Sequence, residues 1–306
     1  MYEERSAKWY EDDLRLDTLI LTWYKMGESM MANDEMILSS PARSLWGKLS
    51  LDGTHRWLPL WMHLADTAEI ADLLWAHWLP PHTKNVIVDG FDFSESVSTA
   101  DREIFAGKFV RFLAASHDCG KASPAFMEKA RKVGFSDIVD EITSKGLSIE
   151  VKNQAKAKQF SHALVGEAIL EHQGVDRSLA DIVGAHHGNP VEAKQDLEAA
   201  PEYSSLTGMK DEAWRSVQKE LVQYALRLAG CSSVTGVTLS VPAQVVLSGL
   251  LIMADWLASD ETRFPLISRD YGIVKMESAH DRARQAWSCL HLPEYKQFAS
   301  ACPWSQ

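Results

Sequence analysis

Apolar positions recur with a helical period along most of the chain. Leu60, His63, Thr67, Ile70, Leu74 and Trp78 share one face at spacings of three or four residues, which predicts a helix from Leu60 to Leu79 stopped by Pro80 and Pro81. The stripe Ile104, Phe105, Phe109, Phe112 and Leu113 predicts the next helix over about Asp101 to His117, capped by Ser98 or Thr99. Shorter patterns predict helices over Pro124 to Lys132, over His162 to His172 behind Ser161, and over Leu179 to His187 behind Ser178, the last ended by Gly188 and Pro190. Three more are expected over Lys210 to Leu228, Ala243 to Ser259 and Glu277 to Leu290. Residues 82–100 read as an irregular surface connection, and 133–159 and 188–210 as polar excursions. With Val86 to Val88 and Val234 to Leu239 as minor strand candidates, the fold class expected is all-α, or mainly α, with little or no sheet.

The first forty residues break this pattern. Trp9, Tyr10, Leu14, Ile20, Leu21, Trp23 and Tyr24 are too apolar for a tail, so one or two helices packed on the main body are expected. They also hold 4 Lys or Arg against 9 Asp or Glu, so nearly half of the net charge of −11 comes from this stretch.

Composition narrows the class. Apolar residues at 46% and charged residues at 24% exclude a fibrous or wholly disordered chain of this length. The apolar run from Leu247 to Leu257 is interrupted by Ser248, Gly249 and Asp255 and falls short of the roughly 20 residues of a bilayer crossing, so no membrane association is expected. Acidic residues stand where a signal peptide would be basic, and Cys119, Cys231, Cys289 and Cys302 form no C-x-x-C pair; the expected compartment is a reducing cytoplasm. A charge of −11 argues against a surface that binds nucleic acid unaided, though clustered carboxylates become less negative when metals occupy them.

Several histidines and aspartates stand in unusual places. His117 and Asp118 end an apolar helix in the string Ser116-His117-Asp118-Cys119-Gly120-Lys121. A carboxylate with two oxygens beside an imidazole suits two divalent ions, while the plain alternative is a polar helix terminus. Lys121 is either a contact to a phosphate or a site carboxylate, or a solvated side chain. His63 lies within an apolar face, as a core imidazole bonded to a carbonyl or as a ligand. His186 and His187 are costly to bury without partners, and His162 opens the preceding helix. Asp255 sits in a strongly apolar run and needs several donors or a cation, whether a salt-bridge partner or a metal; its neighbour Trp256 is expected in the core.

The order His63, His117-Asp118, His162, His186-His187, Asp255 resembles the HD metallohydrolase superfamily, and more closely the HD nuclease domain of the helicase-nuclease of type I CRISPR interference. The matching strings are Leu60 to Ala68, His117 to Lys121, His186-His187-Gly188 and Ser248 to Trp256, with Leu45-Trp46-Gly47-Lys48 similar to the family's opening segment. The resemblance covers about residues 42–292, leaving 1–41 as an N-terminal extension and 293–306 as a tail or the start of a linker. It implies a helical HD domain that cuts single-stranded DNA after a guide-RNA effector complex has opened the duplex. It also implies a helicase partner, in the same full-length chain or as a separate subunit. No G-x-x-x-x-G-K-[ST] loop occurs, so a stand-alone nuclease subunit or an excised domain is expected.

By the same resemblance, one metal takes His63, His117, Asp118 and Asp255, a second takes Asp118, His162, His186 and His187, and Asp118 bridges them, with Lys121 beside it. So many imidazoles favour manganese, iron, cobalt or nickel over magnesium, which prefers oxygen ligands. Two other readings remain open: an HD phosphohydrolase acting on nucleotides or cyclic nucleotides, and an inactive HD interaction module.

Overall fold

The computed structural model describes residues 38–151, 160–188, 201–269 and 278–292. The expectations for helices before residue 38, for a tail after 292, and for Cys302 lie outside the described residues, as do parts of both polar excursions.

The described chain begins with a short helix α1 (Ser40–Ser44), capped by the Ser39 hydroxyl, which accepts from the Ala42 amide. A hairpin follows: β1 (Trp46–Leu49) pairs antiparallel with β2 (Arg56–Pro59). Trp46 faces Pro59, Lys48 faces Leu58 and Leu49 faces Trp57, so Gly47 is an extra residue that bulges β1. β2 runs directly into α2 (Leu60–Leu73), whose last part widens into a π-helical turn over Leu74–Trp78. That helix ends near the position its periodicity predicts. Pro81, however, opens α3 (Pro81–Val88) instead of only stopping α2, because a proline at the first helical position lacks an amide that would be unpaired there anyway. Val86 to Val88 is therefore the end of a helix, not a strand.

Next comes α4 (Thr99–Ser116), with Ser98 as its cap. The predicted helix over Pro124 to Lys132 is two single turns, α5 (Pro124–Met127) and α6 (Lys129–Lys132). α7 (Ser136–Ser144) occupies a stretch read as polar connection; it buries only Ile138, Val139 and Ile142. α8 (His162–His172) has the predicted bounds. α9 (Arg177–Gly184) starts earlier than predicted because Asp176, not Ser178, is its cap, accepting from the Ser178 amide. α10 (Pro201–Thr207) lies within the second polar excursion. α11 (Glu212–Leu228) is capped by Asp211, and α12 (Val241–Ala258) follows. A two-residue strand, β3 (Ile267–Ser268), pairs antiparallel with β2, and α13 (Ala279–Ser288) closes the described chain. Val234 to Leu239 contributes only one isolated bridge, between Val175 and Thr235. The architecture is thus mainly helical with one small sheet of order β1-β2-β3.

Two large apolar clusters hold most of these elements. The larger unites α2, α4, α8, α9, α11 and α12 through residues such as Ile70, Phe109, Ile169, Val183, Val222 and Leu250. The second gathers Leu38, Trp46, Trp57, Leu64, Phe126, Ile142 and Trp214 around α11 and the hairpin. α13 is tied to α2 by a buried ion pair, with the Arg282 guanidinium 3.0 Å from Asp66 Oδ2. Burial pushes the Asp66 carboxyl up to about 7, although the charges of Arg282 and Lys48 pull it down.

α12 bears on two expectations, and corrects the one for Trp256. Its 18 residues make it the one described helix long and apolar enough to cross a membrane by length and composition. Its inner face, Ala243, Leu247, Leu250, Leu251, Ala254 and Ala258, is buried against the other helices. Trp256, expected in the core, is 73% exposed because it falls on the opposite face of that stripe.

Candidate metal centre

Five helices and the turns at their ends deliver seven side chains to one place. α2 carries His63 at its first turn, fully buried. α4 ends at Ser116, and the tight 3-10 turn over Cys119–Lys121 that follows swings Asp118 to the same side as His117. Gly120 makes that turn fit: a Cβ there would lie 1.9 Å from the carbonyl oxygen of His162 and 2.3 Å from the amide nitrogen of Gly166. The turn is thereby held directly against the start of α8, which carries His162. His186 and His187 come just after α9, and Asp255 comes from the last turn of α12.

The ligand atoms of His63, His117, Asp118 and Asp255 all lie within 4.8 Å of one another, and so do those of His162, His186 and His187. Asp118 links the two groups. Its Oδ2 is 3.1 Å from His63 Nε2 and 3.3 Å from His117 Nε2, while its Oδ1 is 3.1 Å from His162 Nε2 and 3.5 Å from His186 Nε2. Asp255 Oδ1 is 3.2 Å from His63 Nε2 and 3.4 Å from His117 Nε2. On the far side, the Nε2 atoms of His187 and His162 are 2.9 Å apart. Lys121 Nζ lies 2.6 Å from Asp118 Oδ2 and donates to the Gly47 carbonyl at 3.1 Å. It is thus committed to a site carboxylate and a strand carbonyl.

The imidazoles are presented in a way that suits metal ligation. Nδ1 of His117 donates to the Ala114 carbonyl at 2.8 Å, and Nδ1 of His186 to the Val183 carbonyl at 2.6 Å. Such bonds fix the ring and leave Nε2 with its lone pair facing the cluster. Nε2 of His63, His117 and His186 and Oδ1 of Asp118 are buried without a well-formed hydrogen bond. Orphaned buried polar atoms are costly, and one or more cations at the focus of these donors would satisfy all four. The donor set, imidazole nitrogens with two carboxylates, therefore fits divalent transition ions.

The electrostatics agree. Burial raises the Asp118 carboxyl, but Lys121 and His117 outweigh it and hold the group well below the usual carboxylate range. Asp255 is likewise held low against burial by contacts from His117 and His63. Burial would depress His117, yet Asp118 and Asp255 raise it to about 10. His63 and His162 are lowered by burial, and burial together with the neighbouring His186 and His162 brings the half-exposed His187 down to about 4. A proton on His117 thus stands where a cation is wanted, while the other three are poised as neutral ligands.

All seven residues singled out as ligands are brought together, with Lys121 beside them. Sequence reasoning did not single out Gly120, although a glycine within a tight chemical string is the signal for close backbone approach. It also passed over the Asp66 and Arg282 pair, whose partners are far apart in sequence.

Residues 46–264 match the family described as Cas3, HD domain. The chain is similar to a CRISPR-associated nuclease/helicase Cas3 of Streptococcus thermophilus, 36% identical over 247 residues, which are 76% of this chain and 26% of that one. It is also similar to a CRISPR-associated endonuclease/helicase Cas3 of Thermus thermophilus, 27% identical over 242 residues, covering 75% and 23% of the two chains. Among solved structures, a crystal structure of a CRISPR-associated protein superposes with a TM-score of 0.63 at 23% identity, over 82% of this chain and 27% of the other; at that identity the likeness concerns the fold alone. The chain spans about a quarter of the length of the curated relatives it matches.

Proposed function

The chain belongs to the Cas3 HD-domain family, and on that premise we propose that it is a metal-dependent nuclease that cuts single-stranded DNA at a two-metal centre. The observation that carries the reading is the set of orphaned donors, Nε2 of His63, His117 and His186 with Oδ1 of Asp118, converging around one bridging carboxylate.

In this reading His63, His117, Asp118 and Asp255 hold one ion and Asp118, His162, His186 and His187 the other. Manganese, iron, cobalt or nickel is favoured over magnesium by the count of imidazoles. When bound, the pair of ions polarises the phosphoryl group and generates the nucleophile from water. The chain's own residues do the rest. Asp118 ties the two halves into one rigid unit, because each of its oxygens serves a different group of histidines. Lys121 keeps that carboxylate ionised and oriented, acting through Asp118. The carbonyls of Ala114 and Val183 hold His117 and His186 in the required tautomer. No separate side-chain base is needed.

Residues 42–292 form the catalytic domain in this proposal, with 1–41 as an extension that docks on it or on a partner. A guide-RNA effector complex opens the target and a helicase feeds the strand, whether in the same full-length chain or as a separate subunit; the cytoplasm is where such partners meet DNA. The net charge of −11 fits a domain that receives its substrate from others.

The test is incubation of the metal-loaded protein with circular single-stranded DNA, circular duplex, and a panel of nucleotides and cyclic nucleotides. Nicking of the single-stranded circle with manganese, cobalt or nickel, abolished by chelation, is expected. An intact circle alongside saturable hydrolysis of a nucleotide would replace the nuclease reading with a nucleotide phosphohydrolase, and no turnover of any substrate would leave the interaction module.

A further inference from the structure

One lysine stands at the metal centre and a second lies on the strand that passes it, and their situations differ. Lys121 is used up: its ammonium is 2.6 Å from Asp118 Oδ2 and donates to the Gly47 carbonyl. Lys48, the next residue along from that carbonyl, is half-buried, yet among the described residues its ammonium makes no hydrogen bond and no ion pair. The charged groups whose fields reach it are Lys121, Asp255, Asp118 and Glu261, and it acts in turn on Asp66. It thus feels the charge of both site carboxylates without forming an ion pair with either.

The backbone explains how a lysine comes to be there. Gly47 is the extra residue of the β1 bulge, and bulges re-aim the side chain that follows. Gly47 also lets β1 run close over the start of α2: a Cβ at Gly47 would be 3.1 Å from Leu60 Cα and 3.3 Å from His63 Cβ. β1 thus passes directly beside a metal-ligand candidate, with its bulge carbonyl fastened by Lys121. A partly desolvated ammonium with no acceptor among the described residues is costly, and burial with the neighbouring Lys121 brings Lys48 down to about 8, a state that an incoming anion would reverse.

We propose that Lys48 is the residue that binds the phosphate group of the substrate at the metal centre, its ammonium pairing with a non-bridging phosphate oxygen, while Lys121 serves only to hold Asp118. This rests on the phosphoester-hydrolase reading of the site but not on the polymer being DNA. It assigns the strand β1 a part in the chemistry: the hairpin supplies the anion contact that the histidine-bearing helices lack.

The experiment compares wild type, Lys48→Met and Lys48→Arg, loaded with manganese and freed of excess ion, in four measurements: metal content, Tm, affinity for inorganic phosphate by calorimetry, and kcat/KM on single-stranded DNA. Lys48→Met is expected to keep the wild-type metal content and Tm, to bind phosphate roughly tenfold or more weakly, as loss of one charge-assisted contact implies, and to lose kcat/KM by at least as much. Lys48→Arg should recover most of both. Wild-type phosphate affinity in Lys48→Met overturns the proposal. So does a lost ion or a fall in Tm in that variant without rescue by arginine, since Lys48 would then act on the ligands or the fold. If wild type cuts no DNA yet its phosphate binding still depends on Lys48, the nuclease reading fails and this inference stands. If DNA is cut equally well by wild type and Lys48→Met, this inference fails alone.

Discussion

Asp118 Oδ1 lies 3.1 Å from His162 Nε2, while the other oxygen of the same carboxylate lies 3.1 Å from His63 Nε2. One side chain therefore serves two groups of donors, and its removal should have a different consequence from removal of any histidine. Asp118→Ala is expected to bind neither ion stably and to lose cleavage by at least 100-fold, the scale on which a catalytic metal centre is lost. His162→Ala should retain one ion, held by the half containing His63, His117 and Asp255. Metal content after gel filtration, read by elemental analysis, checks this; a full pair of ions on Asp118→Ala would remove the bridging role.

The turn carrying Asp118 depends on Gly120. A Cβ there meets backbone atoms of His162 and Gly166, which cannot rotate away as a flexible side chain can. Gly120→Ala should therefore push the 3-10 turn and the start of α8 apart. The expected cost is about 1–3 kcal/mol of stability, toward the upper end of overpacking effects, together with weaker metal binding at the histidine-rich half. Urea denaturation of the metal-free protein supplies the first number and metal titration the second. An unchanged midpoint would mean that the contact is looser than the structure shows.

The seven ligand candidates were proposed from the order of their strings, which resembles a family, since most of the local signals taken singly also had ordinary explanations. The most pointed local signals were a carboxylate in an apolar run, as at Asp255, and two adjacent histidines at a helix end, both costly to bury without partners. The helices were legible where an apolar stripe was long, as in α4, and missed where it was short: α7 buries three side chains in a charged stretch. The sheet was missed for a different reason. β1 and β2 are four residues each, contain Gly47 and Pro59, and are held by burial of Trp46 and Trp57 in the second apolar cluster instead of by β propensity. Trp256 was misplaced because the face of α12 that turns inward is settled by its neighbours, not by its own composition. Partners distant in sequence, such as Asp66 with Arg282, leave no local trace at all.

That last pair yields a stability prediction. Both side chains are buried, so Arg282→Met would strand the Asp66 carboxylate, and breaking one side of a buried pair costs about 3–5 kcal/mol. The cost should depend on pH. Burial already raises Asp66 from 3.8 to about 7, and loss of the guanidinium raises it further, so the folded variant takes up a proton that the unfolded chain releases above 3.8. Stability of Arg282→Met therefore increases as pH falls from 8 toward 5, narrowing the gap to wild type. Adding Asp66→Asn should recover part of the loss at pH 8. Urea midpoints at the two pH values decide it, and a gap that is constant with pH would show that lost packing, not stranded charge, is the cause.

The two halves of the centre should also differ in the protons they release. In the metal-free protein His117 is raised from 6.5 to about 10, because Asp118 and Asp255 outweigh the burial that would lower it; at pH 8 it is charged. A nitrogen ligand must be neutral, so occupation of the half containing His117 expels about one proton at pH 8. The other half has nothing comparable to expel: burial and neighbouring imidazoles hold His187 near 4, and burial holds His162 low. The same shift sets the pH dependence of the metal-free fold. A raised histidine contributes stability that is complete below about 6.5 and disappears as pH rises through about 10, so metal-free protein should lose stability between pH 7 and 10. Metal-loaded protein, with that proton already gone, should not show this decline. Calorimetric titration with manganese at pH 8 in two buffers of different ionisation enthalpy measures the proton count. Release near one for one class of site and near zero for the other is expected, and equal release from both would mean that the carboxylates do not hold the His117 proton.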